Sequence, residues 1–206
     1  MDFHGVKASY YTFSSKLSTI SSIGYYRGGP EIGIKACLHG FTDDVNRFYE
    51  GVEKLKSELF NKAFKIAYAS MKKSKYTQWF NVGNLFYNIG SKSIGLFCSQ
   101  IVHRRIIDGR KYLFGLMNLN PMIPNLGRLQ GSYVKISGRV PKILSNEIAR
   151  GEMPAINVVM VQASTKLKGF ADGHSVAASG VVPKGLEYRF INEVDSFIEE
   201  WKVKHY

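Results

Sequence analysis

The stretch Gly131-Ser132-Tyr133-Val134-Lys135-Ile136-Ser137-Gly138-Arg139 (GSYVKISGR, residues 131–139) alternates with a period of two. Tyr133, Lys135, Ser137 and Arg139 fall on one face, and Val134, Ile136 and Gly138 on the other, which predicts a strand. Lys135 and Arg139 on one face form an ordered row of cations. Helical patterns on either side of this strand predict an α+β fold.

Towards the C-terminus, Ala155 to Val161 (AINVVMV) is uniformly apolar and predicts a central strand. The region from Lys166 to Gly185 is glycine-rich and yields no element. Phe190, Val194, Phe197, Ile198 and Trp201 form a helical stripe, with Lys202 and Lys204 near its negative end.

Towards the N-terminus, Arg110 and Lys111 open a helical pattern that buries Leu113, Leu116 and Met117 and stops before Pro121 and Pro124. Ser91 or Ser93 caps a helix carrying Ile94, Phe97, Cys98, Ile101 and Val102 into His103, Arg104 and Arg105, until Asp108-Gly109 interrupts it. Lys72, Lys73 and Lys75 precede Tyr76 and Trp79. Such interleaving can hold phosphates and stack bases, and a surface loop with a half-buried Trp has the same composition. Thr42, Asp43 and Asp44 start a helix with Val45, Phe48, Val52, Leu55, Leu59, Phe60 and Ala63 on its buried face. Ile32 to Leu38 and Phe64 to Ala69 alternate as flanking strands. Residues 1–30, ending in Tyr25-Tyr26-Arg27-Gly28-Gly29-Pro30, predict an extended arm.

The charge is unevenly placed. The chain carries 28 Lys and Arg against 16 acids, a net +12. Residues 64–150 hold 14 basic and 2 acidic residues, residues 1–63 hold 8 and 7, and residues 151–206 hold 6 and 7. The differences, +12, +1 and −1, put the surplus in the middle of the chain, as an electrostatic footprint for a polyphosphate requires. The candidate RNA-binding residues are Lys72, Lys73, Lys75, Arg104, Arg105, Arg110, Lys111, Lys135, Arg139, Lys142 and Arg150.

Other chemistry is not indicated. Cys37 and Cys98 have neither the spacing of a zinc site nor that of a disulfide framework. The histidines are scattered, and Asp43-Asp44 is accounted for by its place in a helix first turn. Ser175 and Ser179 beside His174 lack the G-x-S-x-G elbow, and Gly90-Ser91-Lys92-Ser93-Ile94-Gly95 lacks the Walker spacing. No apolar run reaches the roughly 20 residues that span a bilayer. Residues 1–22 have neither the apolar block of a signal peptide nor the arginines of a transit peptide. The expectation is therefore a protein that is not an enzyme, with no cofactor, metal, membrane or small-molecule substrate.

Three segments carry a family resemblance. Ile94 to Arg105 (IGLFCSQIVHRR), running on to Asp108-Gly109-Arg110-Lys111, resembles a helix ending in paired basic residues. Leu129 to Arg139 (LQGSYVKISGR) resembles a strand ending in Ser-Gly-Arg. Glu147 to Pro154 (EIARGEMP) resembles the segment that follows it. Together they are similar to the ribosomal protein S-three family, the KH-containing protein of the small-subunit head, in its divergent mitochondrial form. The resemblance implies an arm over 1–30, a degenerate KH-like module over 31–90 with only Gly40 where a KH domain has GXXG, and a C-terminal α/β module over 91–206. It implies a mitochondrial ribosomal constituent that binds rRNA and mRNA beside other small-subunit proteins, with Arg110 and Lys111 facing the entering message. The alternatives are a cytoplasmic location, a non-ribosomal RNA-binding module, or a nucleic-acid-processing enzyme.

Overall fold

A computed structural model describes residues 9–205, together with the backbone of residues 2, 3, 6 and 7. β1 (Asp2–Phe3) and β2 (Val6–Lys7) pair as a short antiparallel ribbon. Three helices follow: α1 (Tyr10–Ile23), α2 (Gly29–His39) and α3 (Asp43–Ser70), with a 3-10 turn at Tyr25–Arg27 after α1. The remaining elements are β3 (Lys72–Lys73), β4 (Thr77–Asn81), α4 (Ser93–Ile101), β5 (Tyr112–Asn118), the hairpin of β6 (Met122–Ile123) and β7 (Gly127–Arg128), β8 (Tyr133–Arg139), α5 (Lys142–Ala149), α6 (Ile156–Lys166), β9 (Phe170–His174), β10 (Ala177–Pro183) and α7 (Glu187–His205).

One six-stranded sheet, in the order β3-β4-β5-β8-β10-β9, organises the molecule. Only β4 and β5 pair in parallel, joined by the crossover that contains α4; the other neighbours are antiparallel. β8 and β9 run the same way, linked through α5 and α6, and β10 inserts between them. The fold is α+β.

Two cores lie on opposite faces of this sheet. On one, Tyr112, Phe114, Leu116, Val134 and Ile136 pack against Ile156, Val159 and Met160 of α6 and Phe190, Val194 and Ile198 of α7. On the other, Leu113, Met117 and Phe80 pack against Ile94, Phe97 and Ile101 of α4, Val52, Phe60 and Ala63 of α3, and Ile20 and Ile23 of α1.

This double burial explains one of the places where the chain departs from its pattern. Residues 112–117 were expected as a helix and form β5, because a strand buried on both faces loses its alternation. Ala155–Val161 was expected as a strand and forms α6. Ile156, Val159, Met160 and Ala163 are its buried stripe, and a short apolar run fits either period. Phe64–Ala69 continues α3, since Ala67 extends the helical series Val52, Phe60 and Ala63. Ile32–Leu38 lies in α2, which starts with Pro30 near its N-terminus and ends at Gly40 with φ 78°. The strands expected on either side of the Thr42 helix are thus helices, and the KH-like strand–helix–strand unit is not formed by these residues. The expected arm is helical over 10–23. Gly29 permits that helix to be crossed closely, because a Cβ there would sit 2.2 Å from the Ile20 carbonyl oxygen. The sheet also joins strands from both sides of residue 90.

Candidate nucleic-acid interface

β8 forms as its alternation predicts, and its two faces meet different surroundings. Val134, Ile136 and Gly138 face the α6–α7 core. Lys135, Ser137 and Arg139 face the side on which α4 packs. α4 lies over β5 and reaches only as far as β8, so β10 and β9 present this face to solvent.

The strand register sets three rows across the open face. Lys135 stands opposite Val181, which stands opposite Phe170; Ser137, Ser179 and Asp172 form the second row; Arg139, Ala177 and His174 form the third. Phe170 is 67% exposed, an aromatic ring in the same row as Lys135 with nothing covering it. Asp172 and His174 are also exposed. The Asp172 carboxylate accepts from the N–H of Gly173 at 2.7 Å.

Both cations are half-buried, and among the described residues neither forms an ion pair. The Lys135 ammonium donates to Ser179 Oγ at 3.1 Å, which leaves it two further protons to donate. Burial lowers its pKa from the ordinary lysine value. Arg139 is held more fully. Its Nε donates to Ser99 Oγ at 2.8 Å, one terminal nitrogen to Ser137 Oγ at 3.1 Å and to the Gly138 carbonyl at 2.7 Å, and the other to the Gly95 carbonyl at 3.0 Å. Gly95 makes room for it, since a Cβ there would lie 3.1 Å from the guanidinium. Burial lowers the Arg139 pKa as well. Every one of these partners is neutral, so hydrogen bonds are satisfied while the charge is not.

The other cations singled out in the sequence are dispersed. Lys72 and Lys73 lie on β3, at the edge of the sheet opposite β9. The Lys72 ammonium sits 4.5 Å from the centre of the Tyr188 ring. Lys75 is paired with Glu199 of α7, and Arg150 grips Glu152 through two bonds of 2.6 and 2.7 Å. Lys111 donates to the carbonyls of Ser74 and Lys75 and so serves as a backbone strap. Arg104 lies over the ring of Phe64 at 6.0 Å. Arg105, Arg110 and Lys142 are exposed near the end of the sheet where β5 begins and β8 stops. The basic stretch is contiguous in sequence but not in space, because sheet order interposes β4 and β5 between β3 and β8. The acids that neutralise Lys75 and Arg150 come from outside it.

Phe170 and Ser99 escaped the sequence reading, and Ser179 enters it only as a hydrolase candidate, not as a partner of Lys135. Phe170, Asp172 and His174 do alternate, as do Ala177, Ser179 and Val181, on either side of a tight Ser175-Val176 turn. That hairpin signal was hidden by glycines at 169, 173 and 180. Among the described residues no group of three or more His, Cys, Asp or Glu is placed to hold a metal ion. Among the described residues no helix is long and apolar enough to cross a membrane.

No family model matches the chain, and no curated protein matches it in sequence. Solved structures similar to it include the C-Ala domain of alanyl-tRNA synthetase from Aquifex aeolicus, at 12% identity and a TM-score of 0.41, over 65% of this chain and 98% of that one. Another is the DHH domain of a member of the s1p family of ribosomal proteins, at 12% identity and a TM-score of 0.48, over 89% of this chain. A third is a pGpG-specific phosphodiesterase from Vibrio, at 9% identity and a TM-score of 0.49, over 94% of this chain. The chain spans 41% of the length of the second and 60% of the third. The expected role as a constituent of the small-subunit head is corrected: helices stand where the KH-like strands Ile32–Leu38 and Phe64–Ala69 were expected. The expectation that the chain is not an enzyme is likewise not retained: a DHH domain and a pGpG-specific phosphodiesterase are among the similar structures found.

Proposed function

We propose that the chain is a nucleic-acid-binding module that holds a single strand along the open face of β8, β10 and β9. One observation carries this reading. Two half-buried cations, Lys135 and Arg139, stand without an ion-pair partner on the face that also carries, two strands away, the uncovered ring of Phe170 and the Asp172 carboxylate. An unpaired charge in a partly dry setting is costly, and a phosphate placed over the sheet offsets that cost. An aromatic ring in the row of Lys135 offers a platform for a base of any sequence. Cations and an aromatic side chain on one flat surface are the two components that sequence-tolerant single-strand binding requires. Arg105, Arg110 and Lys142, beyond the Arg139 end, extend the positive field along the path of the backbone.

The test is a titration of unstructured RNA and DNA oligonucleotides at several salt concentrations. The logarithm of affinity is expected to fall linearly with the logarithm of salt, and Lys135→Gln to flatten the slope by about 0.7 for the single phosphate contact it removes. Phe170→Ala is expected to weaken binding by about 1–3 kcal/mol while leaving that slope unchanged. The proposal is lost if the protein binds neither polymer, or if both variants bind as the parent does.

A further inference from the structure

The β6–β7 hairpin projects an apolar tip that the fold does not use. Leu126 is 82% exposed and Met122 is 53% exposed, and Ile123 and Pro124 lie between them. Its shape is nevertheless well determined. The Leu126 N–H donates to the Ile123 carbonyl at 3.1 Å, across a turn with Pro124 in second place and Asn125 at φ 64° in third. Those are the residues a type II turn calls for. At the base, the Leu129 N–H bonds to the Pro121 carbonyl at 2.8 Å, and Asn120 joins the hairpin to the preceding loop by accepting from the Met122 N–H and donating to the Tyr87 carbonyl. A tip built this firmly and left uncovered suits insertion into a partner.

Two further facts identify that partner. The hairpin is rooted at the end of the sheet that carries Tyr133, Lys135 and Phe170, since the Leu119 N–H bonds to the Tyr133 carbonyl just beyond the β5–β8 ladder. No acidic residue occurs between Asp108 and Glu147, whereas that interval holds Arg110, Lys111, Arg128, Lys135, Arg139 and Lys142. Of these, Arg128 flanks the apolar tip and Lys135 stands at the same end of the sheet, at one end of the proposed single-strand path, whereas Arg110, Arg139 and Lys142 lie towards the other end. Leu, Met, Ile and Pro are the residues that wedge between base steps when proteins unstack nucleic acid.

We infer that the β6–β7 hairpin is a wedge that stacks Leu126 and Met122 against the last base pair of a duplex, so that the preferred ligand is a junction of duplex and single strand. This inference rests on the proposed use of the open sheet face. The experiment compares three oligonucleotides: a single strand, a junction with an equal single-stranded arm, and a blunt duplex, with 2-aminopurine at the junction base. The parent protein is expected to bind the junction about tenfold more tightly than the single strand and to brighten the probe. Replacing both exposed residues, Leu126→Ser with Met122→Ser, is expected to abolish that preference and the brightening while leaving single-strand affinity intact. Equal affinity of the parent for junction and single strand overturns the wedge alone, and so does a double variant that keeps the preference. Failure of the parent to bind any of the three overturns the wedge together with the proposed function. Self-association of the parent that the double variant abolishes, without a junction preference, assigns the tip to a second copy of the chain and overturns the wedge.

Discussion

Lys135→Met separates what the unpaired charge costs the fold from what it does for binding. Met retains most of the packing of the lysine stem. The substitution gives up one hydrogen bond to Ser179, worth about 1 kcal/mol, and Ser179 is accessible enough to turn to water instead. It also removes a partly desolvated ammonium, whose burial without a charged partner costs about 1–3 kcal/mol. The balance is a gain of roughly 1 kcal/mol, equivalent to about 2–4 °C in Tm for a chain of this length. The pH dependence has a definite sign. Burial holds the Lys135 pKa below its ordinary 10.5, so between the native value and 10.5 the unfolded chain carries more protons than the folded one, and stability rises with pH. The penalty is fully present below the native value and is lifted above 10.5. The advantage of the Met variant is therefore largest near neutrality and shrinks as pH rises. Urea unfolding of parent and variant near neutral pH and again at about pH 10, followed by tryptophan fluorescence, measures both quantities, and oligonucleotide titration of the same samples measures binding. A variant less stable than the parent near neutrality, or one whose advantage grows with pH, refutes the reasoning. So does one that is stabilised yet binds as before.

Three further substitutions test packing in the core and helix propensity on the surface. The Tyr112 hydroxyl donates to the Pro154 carbonyl at 2.5 Å inside the sheet–α6 core, and burial pushes its pKa up; Tyr112→Phe orphans that carbonyl and is expected to cost about 1–3 kcal/mol by chemical denaturation. A Cβ on Gly138 would lie 2.6 Å from Ile156 Cδ1 and 2.9 Å from Met160 Sδ, so Gly138→Ala is expected to cost about 1–3 kcal/mol, whereas Gly51→Ala, in α3 with nothing within 4 Å, is expected to stabilise by about 0.5–1 kcal/mol in the same assay.

The residues that could be read without a structure are those with one unambiguous environment. β8 has a core on one face and partly open surface on the other, so its alternation survives in the sequence, and Lys135 and Arg139 are placed on a common face before any coordinates are known. α3 and α7 each bury one stripe and carry charge on the opposite side, so their 3.6-residue period is legible. The +12 surplus and its concentration in residues 64–150 are likewise properties of the chain alone.

Tertiary structure decided the rest, for two physical reasons. Where a segment is enclosed on both faces, as β5 is, burial makes almost every position apolar and erases the period; in α6 the exposed positions Val158 and Val161 are apolar as well, so the run Ala155–Val161 shows no period that separates strand from helix. Where residues meet across the sheet, strand order and not sequence distance makes the neighbourhood. Lys72, Lys73 and Lys75 went to the far edge, Lys75 and Arg150 were neutralised by Glu199 and Glu152, and Phe170, 35 positions after Lys135, arrived in its row. Composition determined that the protein carries an excess of positive charge; only the register of β8, β10 and β9 placed the exposed ring of Phe170 and the Asp172 carboxylate on the face that carries Lys135 and Arg139.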